Sequence, residues 1–118
     1  MSLRVYAYRG CDTCRKALKF LAERGVAHEV IPIREQPPTV AELRRMLGYV
    51  GGDVRRLFNT SGGDYQAMRM KETLPGLGVD EALALLSAHG NLVKRPFALG
   101  EKSGVVGFRL PEWEVLVG

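Results

Sequence analysis

Apolar and polar positions along this chain follow two periods, and the changes of period mark its elements. Residues 3–8 alternate around Val5 and Ala7, the period-two pattern of a buried first strand. From Cys14 the apolar positions Ala17, Leu18, Leu21 and Ala22 fall on one helical face, which Gly25 is placed to end. His28 to Ile33 returns to strand character, and Pro32, which has no backbone N–H to donate, puts that strand near a sheet edge. Strand, helix and strand in this order form a crossover unit, which predicts two parallel strands.

The middle of the chain is helical. Gln36-Pro37-Pro38 is a rigid connector, and Thr39 with Glu42 makes a capping box. Val40, Leu43, Met46, Leu47 and Val50 give the helix that follows its apolar face. Gly51-Gly52-Asp53 breaks it, and Asp53 is placed to cap a short helix through Leu57. Residues 59–63 are a loop. Asp64 is a candidate cap for a weakly patterned helix through Met70, and Pro75-Gly76 precedes a stronger helix from Asp80 to His89, closed by Gly90.

The last third changes period again. Phe97-Ala98-Leu99 and the run Val105 to Phe108 predict two strands, and the turn-rich residues 100–104 suit an antiparallel hairpin. Pro111-Glu112-Trp113 opens either a short terminal helix or a tail. The economical assembly is a single α/β domain over residues 1–118. It has a four-stranded mixed sheet flanked by helices and a helical cap at about 37–90, inserted between the second and third strands.

With 118 residues the chain is long enough to bury a core without structural disulfides. Its first apolar stretch is short and carries Arg4 and Arg9, unlike a secretory leader, and no apolar run reaches membrane-spanning length. The expectation is a cytoplasmic monomer with no membrane association. The net charge of +4 is spread in pairs such as Arg44-Arg45, Arg55-Arg56 and Lys94-Arg95. No basic stripe or groove-reading motif accompanies it, so direct nucleic-acid binding is not expected, while a preference for anions is.

The two cysteines change the picture most. Cys11 and Cys14 lie in the run Cys11-Asp12-Thr13-Cys14-Arg15-Lys16-Ala17, between a strand and a helix start. The first turn of a helix offers free N–H groups and positive dipole charge, which favour a thiolate. In a reducing compartment such a pair is catalytic, sensing or metal-binding rather than structural. Closed zinc coordination needs four ligands; His28 lies at a plausible distance, but His89 falls far beyond it and not the few residues away that a finger has, so no metal is expected. Cys11, nearer the dipole, is the candidate nucleophile and Cys14 the candidate resolving thiol. Thr13 is a candidate hydrogen-bond donor to the thiolate and Arg15 a candidate positive charge beside it, although both residue types also suit an ordinary first turn.

Three stretches together resemble the arsenate reductase-like family of the thioredoxin-like fold, in its Spx and YffB-type branch. They are the strand with the cysteine run, Arg56 to Gly62 with Tyr65, and Asn91-Leu92-Val93-Lys94-Arg95-Pro96 with the hairpin ending Val106-Gly107-Phe108. The resemblance implies that Pro96 is a cis-proline facing the reactive cysteine, with Arg95 beside the thiolate. Without the resemblance, Arg95-Pro96 also reads as a strand-entry kink. Arsenate reduction in that family uses three arginines. Arg95 matches one, Asn59 stands at the first position, and the third falls at or next to Phe108, with Arg109 adjoining.

Two functions follow from the resemblance. One is a small thiol–disulfide oxidoreductase of arsenate-reductase-like type, acting on a thiol or oxyanion substrate. No bound cofactor is expected for it, and glutathione or thioredoxin is the candidate electron donor. The other is an Spx-like redox switch that binds the RNA polymerase alpha subunit through the helical cap, where Gly52-Asp53 resembles a contacting stretch.

Overall fold

The computed structural model describes residues 3–118. Its sheet has the order β2-β1-β3-β4, built from β1 (Leu3–Ala7), β2 (His28–Pro32), β3 (Phe97–Leu99) and β4 (Gly104–Val106). β1 pairs parallel with β2, with Val5 opposite Val30, and antiparallel with β3, with Val5 opposite Ala98. β3 and β4 form the expected antiparallel hairpin. The result is the thioredoxin-like mixed sheet, with β2 at an edge where Pro32 is tolerated.

Alternation sorts side chains cleanly between the two faces. Leu3, Val5, Ala7 and Ala98 join one buried cluster with Cys14, Ala17, Leu21 and Trp113. This cluster is covered by α1 (Asp12–Glu23) and α6 (Leu110–Val117). Tyr6, Ile31, Phe97, Leu99 and Val106 point the other way, into a larger cluster shared with the cap. The cap comprises α2 (Val40–Tyr49), α3 (Gly63–Ala67), α4 (Met70–Thr73) and α5 (Val79–Ala88), with short 3-10 turns at Val54–Leu57, Leu74–Gly76 and Gly90–Leu92.

α1 ends as its sequence predicts. Gly25 adopts φ +64, and the N–H of Val26 returns to the carbonyl of Leu21 at 3.0 Å. Its buried face differs in one respect: Phe20 is buried and Ala22 is exposed. Phe20 packs edge-on against Trp113 at 6.3 Å, a partner ninety-odd positions away that no local periodicity contains. The terminal segment is a helix and not a tail. The Trp113 indole anchors it, fully buried, with Nε1 donating to the Gly107 carbonyl at 2.9 Å.

α2 begins at the capping box, with the Glu42 N–H donating to Thr39 Oγ1 at 3.2 Å and the Thr39 N–H donating to Glu42 Oε1 at 3.0 Å. Val40, expected on the apolar face, is exposed, and Glu42 is buried in its place. The carboxylate reaches the sheet, where it accepts from Arg4 Nη1 at 2.6 Å and from the Tyr6 hydroxyl at 2.8 Å. Burial opposes its ionisation, yet the Thr39 N–H, the Tyr6 phenol and Arg4 together hold its pKa below the usual range.

The weakly patterned helix expected from Asp64 through Met70 is two short pieces. Gly62 takes the N-cap position of α3, so Asp64 lies inside the helix and caps nothing. Arg69, at φ 55, turns the chain left-handed between α3 and α4. Asp53 does cap the next element, a 3-10 turn, by accepting from the Arg55 N–H at 3.1 Å. α5 starts at Val79 after Gly78, and Gly90 belongs to a following 3-10 turn.

Candidate active site

Cys11 occupies the N-cap of α1 with extended backbone angles, and its Sγ accepts from the Cys14 N–H at 3.3 Å. The turn leading into it is closed by the Cys11 N–H donating to the Tyr8 carbonyl at 3.1 Å. Cys11 is half-buried and Cys14 is 1% exposed, and both are free thiols. Burial pushes the Cys14 thiol up to about 12, and its hydrogen bond to Cys11 and the charge there add to the rise. Cys14 therefore stays protonated at neutral pH beside an accessible sulfur at a helix N-terminus.

The Arg95–Pro96 bond is cis, as the resemblance implied. Pro96 is buried, and its carbonyl accepts from the N–H of Gly107, which holds φ +74. Arg95 is anchored from several sides. Its Nη2 donates to the carbonyls of Gly90 at 3.1 Å and Asn91 at 2.8 Å, and its Nε to that of Val93 at 3.3 Å. The guanidinium also lies 5.9 Å from the centre of the Tyr8 ring, whose centre is 4.8 Å from Arg34. Burial lowers the pKa of Arg95, the charges of Cys14 and Cys11 oppose that shift, and a guanidinium remains cationic at neutral pH.

A short clip joins the cap to this loop. Phe58 and Val93 form an antiparallel bridge, the Asn59 N–H donates to the Leu92 carbonyl at 2.7 Å, and the Lys94 N–H donates to the Leu57 carbonyl at 2.8 Å. The clip brings Asn59 into the same cleft as Cys11, although the two lie far apart in sequence. That cleft has a volume of about 710 Å³.

Of the residues singled out from sequence, Cys11, Thr13, Asn59, Arg95 and Arg109 all line the cleft, with Cys14 and Pro96 buried behind it. Arg15 does not join them. Its guanidinium turns back to the Arg9 carbonyl at 2.9 Å and to the Asp12 carboxylate. Of the two arginines expected beside the thiol, Arg95 takes that place and Arg15 does not, because an arginine in the first turn finds a nearer acidic partner one turn away. Thr13 Oγ1 makes no hydrogen bond to Cys11 among the described residues.

Lys94, Arg55 and Arg56, visible in the sequence only as members of spread charge pairs, also line the cleft. The signal for Lys94 was its place in the doublet preceding Pro96. Nothing local marked Arg55 and Arg56, because the clip that turns them toward Cys11 is a long-range contact.

Known proteins resemble this chain over nearly its whole length. The ArsC family model matches residues 6–116. Uncharacterized protein YusI of Bacillus subtilis is 42% identical over 114 residues, covering 97% of each chain. An arsenate reductase of Neisseria meningitidis is 27% identical over 98% of this chain and 97% of its own. The global transcriptional regulator Spx of Enterococcus faecalis is 27% identical over 92% of this chain and 82% of its own. Among solved structures, an ArsC family related protein from Bacteroides fragilis superposes with a TM-score of 0.92 at 38% identity, covering 98% of each chain.

Proposed function

The chain belongs to the ArsC family, and from that premise we propose that it is a thiol-dependent oxidoreductase acting on a disulfide-bearing, anionic substrate. The observation that carries this reading is the asymmetry of the two thiols. Cys11 is accessible at a helix N-terminus, whereas Cys14 is buried and held protonated behind it.

In this mechanism the Cys11 thiolate attacks one sulfur of the substrate disulfide. A mixed disulfide forms, and the other substrate sulfur leaves as a thiolate, which takes up a proton. Cys14 then gives up its proton and attacks Cys11 Sγ, which forms the Cys11–Cys14 disulfide and releases the second substrate thiol. Two electrons have passed from the protein to the substrate. An external thiol, with glutathione or thioredoxin as candidates, returns them. Arg95 supplies fixed positive charge to the thiolate stages, preorganised by its carbonyl anchors. Thr13, Asn59 and Arg109 position the anionic part of the substrate.

The test is a redox titration of the purified protein in glutathione buffers, read by thiol alkylation and mass. A single two-electron transition is expected. Cys14→Ser is expected to accumulate the mixed disulfide, and Cys11→Ser to abolish reaction with every disulfide. Absence of a Cys11–Cys14 disulfide at all poises overturns the resolving role. Arsenate turnover is expected to be much slower than disulfide reduction, since Asn59 stands at one and Phe108 at or beside another of the three positions where the resemblance implies arginines.

The similarity to Spx supports a second reading, a redox switch that contacts the RNA polymerase alpha subunit through the cap surface around Asp53. A pull-down that recovers no polymerase subunit from either redox state counts against it.

A further inference from the structure

The cleft at Cys11 is unusual in its charge. Arg55, Arg56, Lys94, Arg95 and Arg109 line it, against Asp53 and Glu112. Over much of the remaining surface arginines are neutralised. Arg4, Arg24, Arg44 and Arg69 each face a carboxylate, as does Arg15. Among the described residues, Arg55, Arg56, Lys94 and Arg109 make no ion pair. Five cations against two carboxylates therefore share one concavity, whose low-dielectric walls concentrate their field.

The same cleft has apolar lining from Phe58, Val106 and Phe108. A single inorganic oxyanion would leave these side chains and most of the volume unused. Asp53 and Arg55 also line a second cavity of about 470 Å³, walled by Val54, Tyr65, Leu74 and Leu77 with Lys71 among its lining. The shared residues make the two cavities neighbours. A ligand that matches both is elongated, carries several separated negative charges and presents an apolar group at one end. An extended acidic polypeptide has this form, with side chains repeating every 3.3 Å or so along its length.

We propose that the two cavities form one binding track for an acidic polypeptide, whose reactive sulfur reaches Cys11 and whose apolar side chain fills the cavity between Tyr65, Leu74 and Leu77. The chemistry at the sulfur rests on the thiol mechanism above, with the balance given there, but recognition along the track does not depend on it.

The test is therefore a binding measurement with a redox-inert probe. A fluorescein-labelled, glutamate-rich peptide carrying one leucine, and serine in place of cysteine, is titrated with full-length Cys11→Ser protein and followed by anisotropy. The comparison probes are a lysine-rich counterpart, the acidic peptide with serine for leucine, and a single-stranded oligonucleotide of equal charge. The acidic leucine peptide is expected to bind about tenfold more tightly than the basic peptide or the oligonucleotide, with the preference shrinking at high salt. Loss of the leucine is expected to weaken it about threefold. Lys71→Glu, at an exposed position, and Leu77→Asp are expected to do the same. Neither change alters the rate at which Cys11, in the otherwise unchanged protein, reacts with a small neutral disulfide. Equal affinity for acidic and basic peptides, equal affinity for the oligonucleotide, or indifference to Lys71→Glu overturns the track. A Cys11 inert to all disulfides in a protein that still selects the acidic peptide overturns the thiol mechanism and leaves the track standing.

Discussion

The two faces of the sheet are built in different ways. On one, α1 and α6 cover small strand residues, and the aromatic trio Phe20, Phe108 and Trp113 fills the space between them. On the other, a cap of short helices and turns buries a larger cluster and one carboxylate, Glu42. The regular face presents the thiols, and the irregular cap contributes Arg55, Arg56 and Asn59 to the cleft. Under the proposed function, reactivity comes from the helix start, while recognition is drawn partly from a segment whose path depends on distant contacts.

The strongest way to break this division is to empty the regular face. Trp113→Ala removes a fully buried indole and its bond to Gly107. It is expected to cost about 4 kcal/mol in urea unfolding and to loosen the Gly107 turn that lines the cleft.

On the cap side the corresponding point is Glu42. Glu42→Ala leaves the Tyr6 O–H without its acceptor and removes the carboxylate facing a half-exposed Arg4, with an expected loss of about 2 kcal/mol. Because the native pKa of Glu42 is depressed, its contribution is present at neutral pH. It is lost as pH falls below the ordinary value of 4.5 and through the native one. Glu42→Gln is expected to flatten the acid limb of the stability profile.

The regular face answers at the opposite end of the pH scale. Cys14 ionises near 9 when unfolded and near 12 when folded, so the native state holds the extra proton between those values. Its contribution is complete below pH 9 and falls as pH rises toward 12, by roughly 1 kcal/mol per pH unit. Tyr6, raised from 10.0 to about 12 mainly by burial, steepens the upper part of that limb. Cys14→Ala is expected to remove the portion that begins near pH 9, as measured by thermal melts across an alkaline series.

The smallest effect sharpens the account of the cap. Arg69→Gly relieves a left-handed arginine but gives up its exposed pair with Glu72 and loosens the unfolded chain. The net change is expected within about 0.5 kcal/mol. A larger loss means that the turn between α3 and α4 depends on the arginine side chain rather than on its backbone angles.

The same division explains what the sequence makes legible. Strand alternation, the crossover, the hairpin, the Thr39 capping box and the helix start at the cysteines are all local, and each is visible in spacing alone. The larger departures are long-range, and Arg15 is a local one. Phe20 is buried because Trp113 returns to meet it. Glu42 is buried because Arg4 and Tyr6 await it on the sheet. Arg15 is lost from the site because Asp12 and the Arg9 carbonyl compete for it. The cleft cations were visible as residues and not as a group, since their meeting point depends on the Phe58–Val93 bridge.

That bridge has one more consequence. Between Thr60 and His89 the chain departs from the clip and comes back to it, with its two ends fastened by the bonds from Asn59 to Leu92 and from Lys94 to Leu57. Inside the excursion Tyr65, Met70, Leu74, Ala82, Leu83 and Leu86 pack into the core, and most of its other positions face outward. Exchange at its exposed positions, such as Lys71, is the change that can retune selection under the proposed function while the thiol pair and Arg95 keep their places.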